Sequence, residues 1–274
     1  MSETSIIIEA GRAEAQYWRD VWNYRGLFYF LAWRDILVRY KQTVAGVLWA
    51  FIRPFLTMVV FTVVFGRFAK LPADGVPYPI LVFAALLPWQ FFSTSITDSG
   101  NSLITNASMI SKVYFPRIVV PTATMITALA DLLISYALLA VLFVVYSFAP
   151  RWQLIFLPFL TVLTCVTTLA CGIGLSGLTV RYRDFRFVVP FLVQFGLYLS
   201  PIGYSVSVVP EQWRLLYALN PLVGIIEGFR WAIVGNPAVF PLTSVAMSVV
   251  VSAGLLWASI TYFRKTEQTL ADII

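Results

Sequence analysis

The stretch IVVPTATMITALADLLISYALLAVLFVV, residues 118–145, determines the class of this protein. It is apolar throughout except for a few hydroxyl side chains and a single charge, Asp131. A helix of about 20 apolar residues is long enough to cross the ~30 Å hydrocarbon core of a bilayer. The stretch therefore predicts a transmembrane helix.

Five further apolar stretches accompany it, at 44–65, 78–96, 154–180, 187–204 and 241–263. Of the 274 residues, 59% are hydrophobic and only 12% are charged, against roughly 25% charged residues in soluble proteins. The first of these stretches contains Arg53-Pro54, where proline predicts either a helix start or a kink. The sequence thus predicts an all-α membrane protein with six transmembrane helices.

Basic residues are distributed unevenly over the loops between these stretches, which predicts the orientation of the chain. With the N-terminus in the cytoplasm, five basic residues lie outside and thirteen inside, while Arg53 lies within the first stretch. Cytoplasmic loops carry the excess of Lys and Arg in membrane proteins, so both termini are expected in the cytoplasm. The outside residues are Arg67, Lys70, Arg151, Arg214 and Arg230; the inside residues are Arg12, Arg19, Arg25, Arg34, Arg39, Lys41, Lys112, Arg117, Arg181, Arg183, Arg186, Arg264 and Lys265.

Residues 17–40, which precede the first apolar stretch, mix aromatic and charged side chains. Trp33, Leu37 and Tyr40 follow helical spacing, whereas Arg34 and Arg39 lie off that stripe. Aromatic rings suit the headgroup layer and basic groups meet anionic lipid, so the pattern predicts an amphipathic helix in the membrane interface. The alternative is a solvated helix that packs on other protein.

The outer stretch VPEQWRLLYALNPLVGIIEGFRWAIVG, residues 209–235, is apolar but too interrupted for a full span. Pro210 suits the first turn of a helix, Asn220-Pro221 is typical of an N-cap followed by proline, and Gly235 is typical of a helix end. The pattern predicts a hairpin of two short helices before the last transmembrane helix. It would be re-entrant or interfacial and would line or cap a cavity.

Two loops on the cytoplasmic side are candidates for contact with a partner. In the loop 98–117, Asn101 or Ser102 would cap a short helix over 103–113, and Pro116 would end it. A short capped helix is the stiffest element that this loop can form, which favours it as a docking element. For loop 98–117, the alternative is an ordinary connection between two helices. For the basic loop 181–187, the alternative is that its arginines only set the orientation of the chain in the membrane.

Some features within the spans allow two interpretations. Asp131 is either a functional intramembrane charge or one half of a buried pair with an arginine. The aromatic residues of 187–204, Phe187, Phe191, Phe195 and Tyr198, share one helix face and either pack or form a channel wall on which sugar rings stack. The Thr, Ser, Gly and Cys residues of 161–177, including Cys165 and Cys171, predict close helix packing.

Several classes of function are disfavoured by what the sequence lacks. It contains no histidine and no G-x-x-x-x-G-K-[ST] motif, so neither a hydrolase site nor ATP binding by this chain is predicted. We expect no ATPase activity, no metal and no cofactor of its own. A membrane-embedded glycosyl- or acyltransferase would need acids or a histidine at the membrane face, which are almost absent.

Several separated stretches resemble the permease subunits of ATP-binding-cassette exporters of polysaccharide, the type-two permease family. They are LAWRDILVRYKQTVAGVLWAFIRPFLTMVVFTVVFGR (31–67), SMISKVYFPRIVVP (108–121), GLTVRYRDFRFVVPFLVQFGLYLSPIGY (177–204) and LNPLVGIIEGFRWAIVG (219–235). The resemblance implies a homodimer around a channel, with two separate ATP-binding subunits below it. The resemblance also implies a location in the inner membrane and a lipid-linked polysaccharide as the substrate, with O-antigen as the preferred candidate. The alternative substrates are capsule polysaccharide, teichoic acid or a small lipophilic compound.

The domain organisation and the residue roles follow from this combined interpretation. Residues 1–43 form a cytoplasmic N-terminus with the interface helix, 44–263 the six-helix transmembrane domain, and 264–274 a cytoplasmic tail. One six-helix subunit has too few helices to enclose a channel, so the channel is placed between two copies. The predicted coupling residues are Leu103, Met109, Lys112, Arg34, Arg39 and Arg183, and the predicted channel-lining residues are Trp49, Phe191, Phe195, Tyr198, Tyr217 and Trp231.

Overall fold

The computed structural model describes residues 14–41, 46–71, 75–235 and 240–267, and the regular structure within these ranges is helical. The connecting segments include a π-helical continuation of the third helix over Thr62–Phe68. The α-helices in chain order are α1 Glu14–Asn23, α2 Arg25–Lys41, α3 Gly46–Phe61, α4 Tyr78–Thr105, α5 Ala107–Ile110, α6 Val119–Val145, α7 Leu157–Arg181, α8 Phe185–Leu199, α9 Glu211–Tyr217, α10 Pro221–Val234 and α11 Leu242–Glu267.

Within the described residues, five helical stretches are long and apolar enough to cross a membrane: Leu48–Phe68, Tyr78–Thr105, Val119–Val145, Trp152–Arg181 and Leu242–Glu267. The fifth predicted span, 187–204, is shorter than expected, because α8 ends at Leu199. Ser200 and Pro201 follow, and the residue before a proline is disfavoured in helical conformation. In α3, Pro54 lies inside the helix rather than at its start.

Helix α4 lies at the centre of the bundle, in contact with α6, α7 and α10. It continues to Thr105 and so absorbs much of the predicted loop 98–117. The expectation that Asn101 or Ser102 caps a separate helix over 103–113 was wrong. Asn101 donates to the carbonyl of Thr97 and Ser102 to that of Ser99, so both side chains are satisfied within α4. Only the short α5 follows it.

Small residues bring the central helices close together, as predicted for 161–177. A Cβ added at Gly172 of α7 would lie 2.9 Å from the side chain of Ser99 on α4. Between α10 and α11 the approach is closer still, because a Cβ at Gly224 would lie 2.0 Å from the carbonyl oxygen of Ser244. Hydroxyl groups also join helices directly, as between Thr167 and Ser252 at 2.6 Å. Such bonds contribute on average about 0.6 kcal/mol in membrane bundles.

The two short helices predicted within 209–235 are confirmed, together with their capping residues. Pro210 immediately precedes α9. The side chain of Asn220 accepts a hydrogen bond from the backbone N–H of Leu222, and Pro221 occupies the first helical position of α10. Gly235 ends α10 with a φ of 70°, a left-handed conformation that favours glycine. Most of α10 is buried, in contact with α4, α7 and α11.

The amphipathic segment 17–40 forms two helices rather than one, with Tyr24 between α1 and α2. Leu31 and Ala32 of α2 are buried, and Leu31 belongs to an apolar cluster that includes Leu103, Ile110 and Phe263. Of the predicted stripe, Trp33 and Leu37 are exposed, but Tyr40 is half-buried and turns toward Asp131; Phe30 is a further exposed ring on α2. Helix α2 therefore packs one face on the bundle and leaves aromatic side chains facing outward, as an interfacial helix requires.

Candidate functional site

Asp131 forms the centre of a polar joint between α2 and the membrane-spanning helices. The carboxylate of Asp131 lies 3.1 Å from the guanidinium of Arg39 and accepts a hydrogen bond from the hydroxyl of Tyr40. Arg39 also reaches Asp98 on α4 at 3.7 Å. Burial, followed by the hydrogen bond to Asp131, raises the pKa of Tyr40. The structure thus provides the arginine partner that the pairing interpretation of Asp131 required.

A second joint lies nearer to the end of α4. The guanidinium of Arg34 donates to the side-chain oxygen of Asn106 at 3.0 Å and pairs with Asp35 at 2.8 Å. The amide of Asn106 donates in turn to the carbonyl of Ser102 at 2.8 Å. Arg34 and Arg39 therefore attach α2 to α4 and α6 at two levels.

A third joint connects the end of α11 to the first helix. Glu267 accepts the backbone N–H of Arg117 at 2.6 Å and the hydroxyl of Tyr17 at 2.9 Å. Arg264 lies over the ring of Tyr17, 5.0 Å from its centre. Burial raises the pKa of Tyr17, and the nearby carboxylate of Glu267 raises it further. These contacts place α1, the start of α6 and the end of α11 at the same end of the bundle.

The remaining predicted coupling residues lie at this end of the bundle but differ in exposure. Lys112 and Arg183 are exposed, and Met109 is half-buried. Leu103 is fully buried in the apolar cluster with Leu31. Leu103 therefore packs in the interior beneath this end of the bundle, whereas the side chains of Lys112 and Arg183 are accessible to a partner.

The predicted channel-lining residues of α8 lie on one exposed face. Phe195 and Tyr198 are 54% and 62% exposed. The rings of Phe191 and Phe195 stack at 6.2 Å with an angle of 9° between their planes. Trp49 on α3 is also exposed. A flat, outward-facing aromatic surface is thus present on two of the elements assigned to the channel.

The two channel candidates in 209–235 lie in different environments. The hydroxyl of Tyr217 donates to the carbonyl of Leu199 at 2.7 Å and joins α9 to the end of α8. Trp231 is only 5% exposed and packs in an aromatic cluster with Trp152, Phe156 and Phe240. Its ring therefore stabilises the base of the hairpin from the interior and is not part of the exposed surface.

Three residues of these joints had no assigned role in the sequence analysis: Asp98, Asn106 and Glu267. Asp98 and Asn106 were placed in a loop, where a polar residue needs no explanation. Residues 97–105, TDSGNSLIT, contain only two apolar side chains, so hydrophobicity gave no signal that α4 continues. Glu267 gave no local signal, because its partners are 150 and 250 residues away in sequence.

The helices and joints define a multi-pass α-helical membrane protein in which an amphipathic helix is attached to the spanning helices by charged and hydrogen-bonded side chains. Within the described ranges, no group of three or more His, Cys, Asp or Glu residues is placed to hold a metal. The chain belongs to the ABC-2 type transporter family, whose model matches residues 26–234. Membership of this family implies that the chain is part of a membrane transporter that works with an ATP-binding partner.

Curated relatives extend this similarity over nearly the whole chain. The chain is 30% identical to the O-antigen export system permease protein RfbA of Myxococcus xanthus, over 93% of this chain and 98% of that protein. It is 26% identical to RfbA of Klebsiella pneumoniae, over 88% of this chain and 92% of that protein. It is also 26% identical to the polysialic acid transport protein KpsM of Escherichia coli, over 73% and 78%.

Proposed function

We propose that this chain is the permease subunit of an ATP-driven exporter that moves lipid-linked polysaccharide across the inner membrane. O-antigen is the substrate that we favour. The observation that carries the proposal is the nearly end-to-end similarity to permeases named for O-antigen export. The similarity to a polysialic acid transport protein supports the wider class of polysaccharide. ATP is hydrolysed by a separate subunit, and this chain transmits the resulting motion.

In this proposal the chain crosses the membrane six times, with α8 as the fifth crossing. Helix α8 is about 22 Å long at 1.5 Å per residue, so the segment after it must complete the crossing. Irregular backbone at membrane depth is tolerated where protein surrounds it. The carbonyl of Gly203 accepts from Tyr78 at 2.7 Å, and those of Ile202 and Tyr204 accept from Arg230 at 2.8 and 2.7 Å. These bonds support a crossing completed by residues 200–204.

The same contacts support an outer position for the hairpin α9–α10. Tyr78, Arg230 and Gly235 lie at the end of the bundle opposite to the joint of Tyr17 and Glu267. Arg151 donates to the carbonyl of Gly235 at 2.9 Å and so attaches α10 to the connection before α7. With both termini in the cytoplasm, as the distribution of basic residues favours, this end faces outward.

The substrate path lies between two copies of the chain. A polar polymer needs a shielded and partly hydrated route through ~30 Å of hydrocarbon. The exposed aromatic face of α8, with Phe191, Phe195 and Tyr198, and Trp49 on α3 form its walls. Rings suit this task because stacking accepts many sugars without the strong directional bonds that would stall a long chain.

Two ATP-binding subunits dock on the cytoplasmic end, against α2 and the segment after α4. The exposed side chains of Lys112 and Arg183 contact the partner, and Met109 lies beside them. Arg34 and Arg39 carry the movement of α2 to Asn106, Asp98 and Asp131. The arrangement couples closure of the ATP-binding subunits to the relative tilt of α4 and α6.

The deciding experiment is deletion of the gene, scored for surface polysaccharide and for lipid-linked glycan inside the cell. The proposal expects surface polymer to disappear and the lipid-linked form to accumulate in the cytoplasmic leaflet. Complementation with the intact gene must restore both. Normal surface polymer in the deletion strain would exclude polysaccharide export.

A further inference from the structure

A cavity of about 240 Å³ lies among α2, α3, α4 and α6, beside the joint at Asp131. Side chains from all four helices line it: Arg39, Tyr40, Trp49, Gln90, Thr94 and Asp131. It lies within a single subunit and shares Trp49 with the path proposed between two copies. Asp131 lies 12 residues after Val119, or about 18 Å along α6, which places it near the middle of this 27-residue helix.

One wall of this cavity is held in place by contacts within the protein. The two carboxylate oxygens of Asp131 are engaged by different partners, Oδ1 by the hydroxyl of Tyr40 and Oδ2 by the guanidinium of Arg39. The hydroxyl of Ser135 donates to the backbone carbonyl of Asp131 at 2.9 Å. Such mutual support preorganises the polar groups and lowers the entropy cost of binding.

The opposite wall offers polar groups that the protein leaves available. Within the described part of the chain, neither the side-chain amide of Gln90 nor the hydroxyl of Thr94 has a hydrogen-bond partner. Both residues are half-buried on α4, one turn apart. Groups of this kind lose free energy when they are taken out of water without a partner, so a ligand that supplies hydroxyl groups gains by pairing with them.

Trp49 completes the cavity with an exposed aromatic face. Its side chain is 60% exposed although it lines the cavity from α3. An aromatic face beside amide, hydroxyl and carboxylate groups matches a sugar ring, which has apolar C–H faces and polar hydroxyl edges. A hydrocarbon tail would leave Gln90 and Thr94 without partners.

The charges around the cavity also favour a neutral polar ligand over a phosphate group. Arg39, Arg53 and Asp131 line the cavity, and Asp98, which lies outside the lining, pairs with Arg39 at 3.7 Å; the four charges sum to zero. A phosphate that paired with Arg39 would have to displace Asp131 to obtain both donors of that guanidinium. A sugar hydroxyl can instead accept from the guanidinium or donate to the carboxylate while their pairing is kept.

From these observations we propose that the cavity binds one sugar ring of the exported glycan, with Trp49 against its face and Gln90 and Thr94 bonded to its hydroxyl groups. This inference rests on the proposed function and adds a specificity site to it. The channel between the copies tolerates many sugars. The cavity instead selects the polymer by one of its sugar rings.

The test uses the full chain, purified with its ATP-binding subunits in phosphatidylcholine nanodiscs, and a panel of methyl hexosides as probes. Saturation-transfer NMR is expected to show transfer to the ring protons of at least one glycoside. Gln90→Leu and Thr94→Val should each weaken its binding about 3- to 10-fold, the effect of one hydrogen bond. The matched control is Thr97→Val, one turn further along α4, because the Thr97 hydroxyl is already bonded to the carbonyl of Ser93.

Absence of transfer to every glycoside, or equal binding by Gln90→Leu, Thr94→Val and Thr97→Val, would overturn the inference. Binding that is abolished in phosphatidylglycerol nanodiscs would assign the cavity to a lipid headgroup and also overturn it. The deletion strain separates these results from failure of the proposed function. If deletion abolishes surface polymer while the variants bind as wild type, only the sugar site is wrong; if deletion has no effect, the export proposal itself fails.

Discussion

Arg39 and Asp131 join the helix that precedes the membrane domain to the interior of a spanning helix, with 3.1 Å between guanidinium and carboxylate. The pair is neither fully buried nor fully exposed, with side chains 32% and 27% accessible. An ion pair in this position is expected to stabilise the contact by about 1 kcal/mol, between the values for surface and buried pairs. It therefore contributes to the rigidity of the joint more than to overall stability.

A double-mutant cycle measures this contribution. Asp131→Asn and Arg39→Gln should each lower the thermal unfolding midpoint of the purified chain, because each leaves a partly buried charge without its partner. The double substitution should cost less than the sum of the two. Glu211→Gln is the control, since Glu211 forms a pair with Arg214 in which its carboxylate is 89% exposed. Strict additivity of the two substitutions would show that the pair contributes no coupling.

Arg230 is predicted to hold the segment after α8 in place. Arg230→Met would leave the carbonyls of Ile202 and Tyr204 without their donor, at about 1–3 kcal/mol for each buried group. We expect the free energy of unfolding to fall by about 2 kcal/mol or more. The same substitution at Arg214, which makes an exposed hydrogen bond to the carbonyl of the half-buried Val209, should have a much smaller effect because water replaces the donor. Similar destabilisation by both would contradict the assignment.

The surface around Met109 and Lys112 is predicted to receive the motion of the ATP-binding subunits. Lys112→Glu reverses an exposed charge and should reduce export per ATP hydrolysed, while the protein remains inserted. Lys265→Glu is the matched control, an exposed lysine on α11 at the same end of the bundle. ATPase rate and surface polymer are measured together. Unchanged export in both variants would remove Lys112 from the coupling surface.

The aromatic face of α8 is predicted to be a channel wall. Phe195→Leu and Tyr198→Leu keep apolar bulk but remove the flat ring, so export should slow about two- to tenfold, consistent with the 0.5–1.5 kcal/mol of an aromatic contact. Expression should stay normal. Trp257→Leu, at another exposed aromatic position on α11, should export normally. If only expression falls, or if all three variants behave alike, the α8 rings serve packing or lipid contact.

The orientation of the chain is tested by reporter fusion. A reporter that is active only outside the cytoplasm should be silent at the C-terminus and active after Lys70, because the excess of basic residues lies on the cytoplasmic side. Western blotting confirms that both fusions are produced. Activity at the C-terminus would reverse the topology and would place the joint at Glu267 outside.

The amino-acid sequence by itself determined the class of this protein and much of its helical structure. Apolar stretches long enough for a bilayer, and the caps at Asn220 and Gly235, are local signals that need no knowledge of the partner helices. The sequence placed the amphipathic segment correctly before the first span. It did not show that α8 is short, nor that the carbonyls of residues 202–204 accept hydrogen bonds after it ends. The donors of those bonds, Tyr78 and Arg230, lie on α4 and α10.

The tertiary structure decided which polar residues meet. The sequence showed Asp131 as an isolated charge, but the choice of Arg39 as its partner depends on how α2 is rotated and tilted against α6. That geometry follows from the packing of Leu31 of α2 in the apolar cluster that includes Val119 and Ala123 of α6. It likewise turned Trp231 inward and left Phe195 exposed, although both are aromatic residues in apolar helices. Side-chain direction depends on contacts between helices that are distant in sequence, and local patterns carry no information about those contacts.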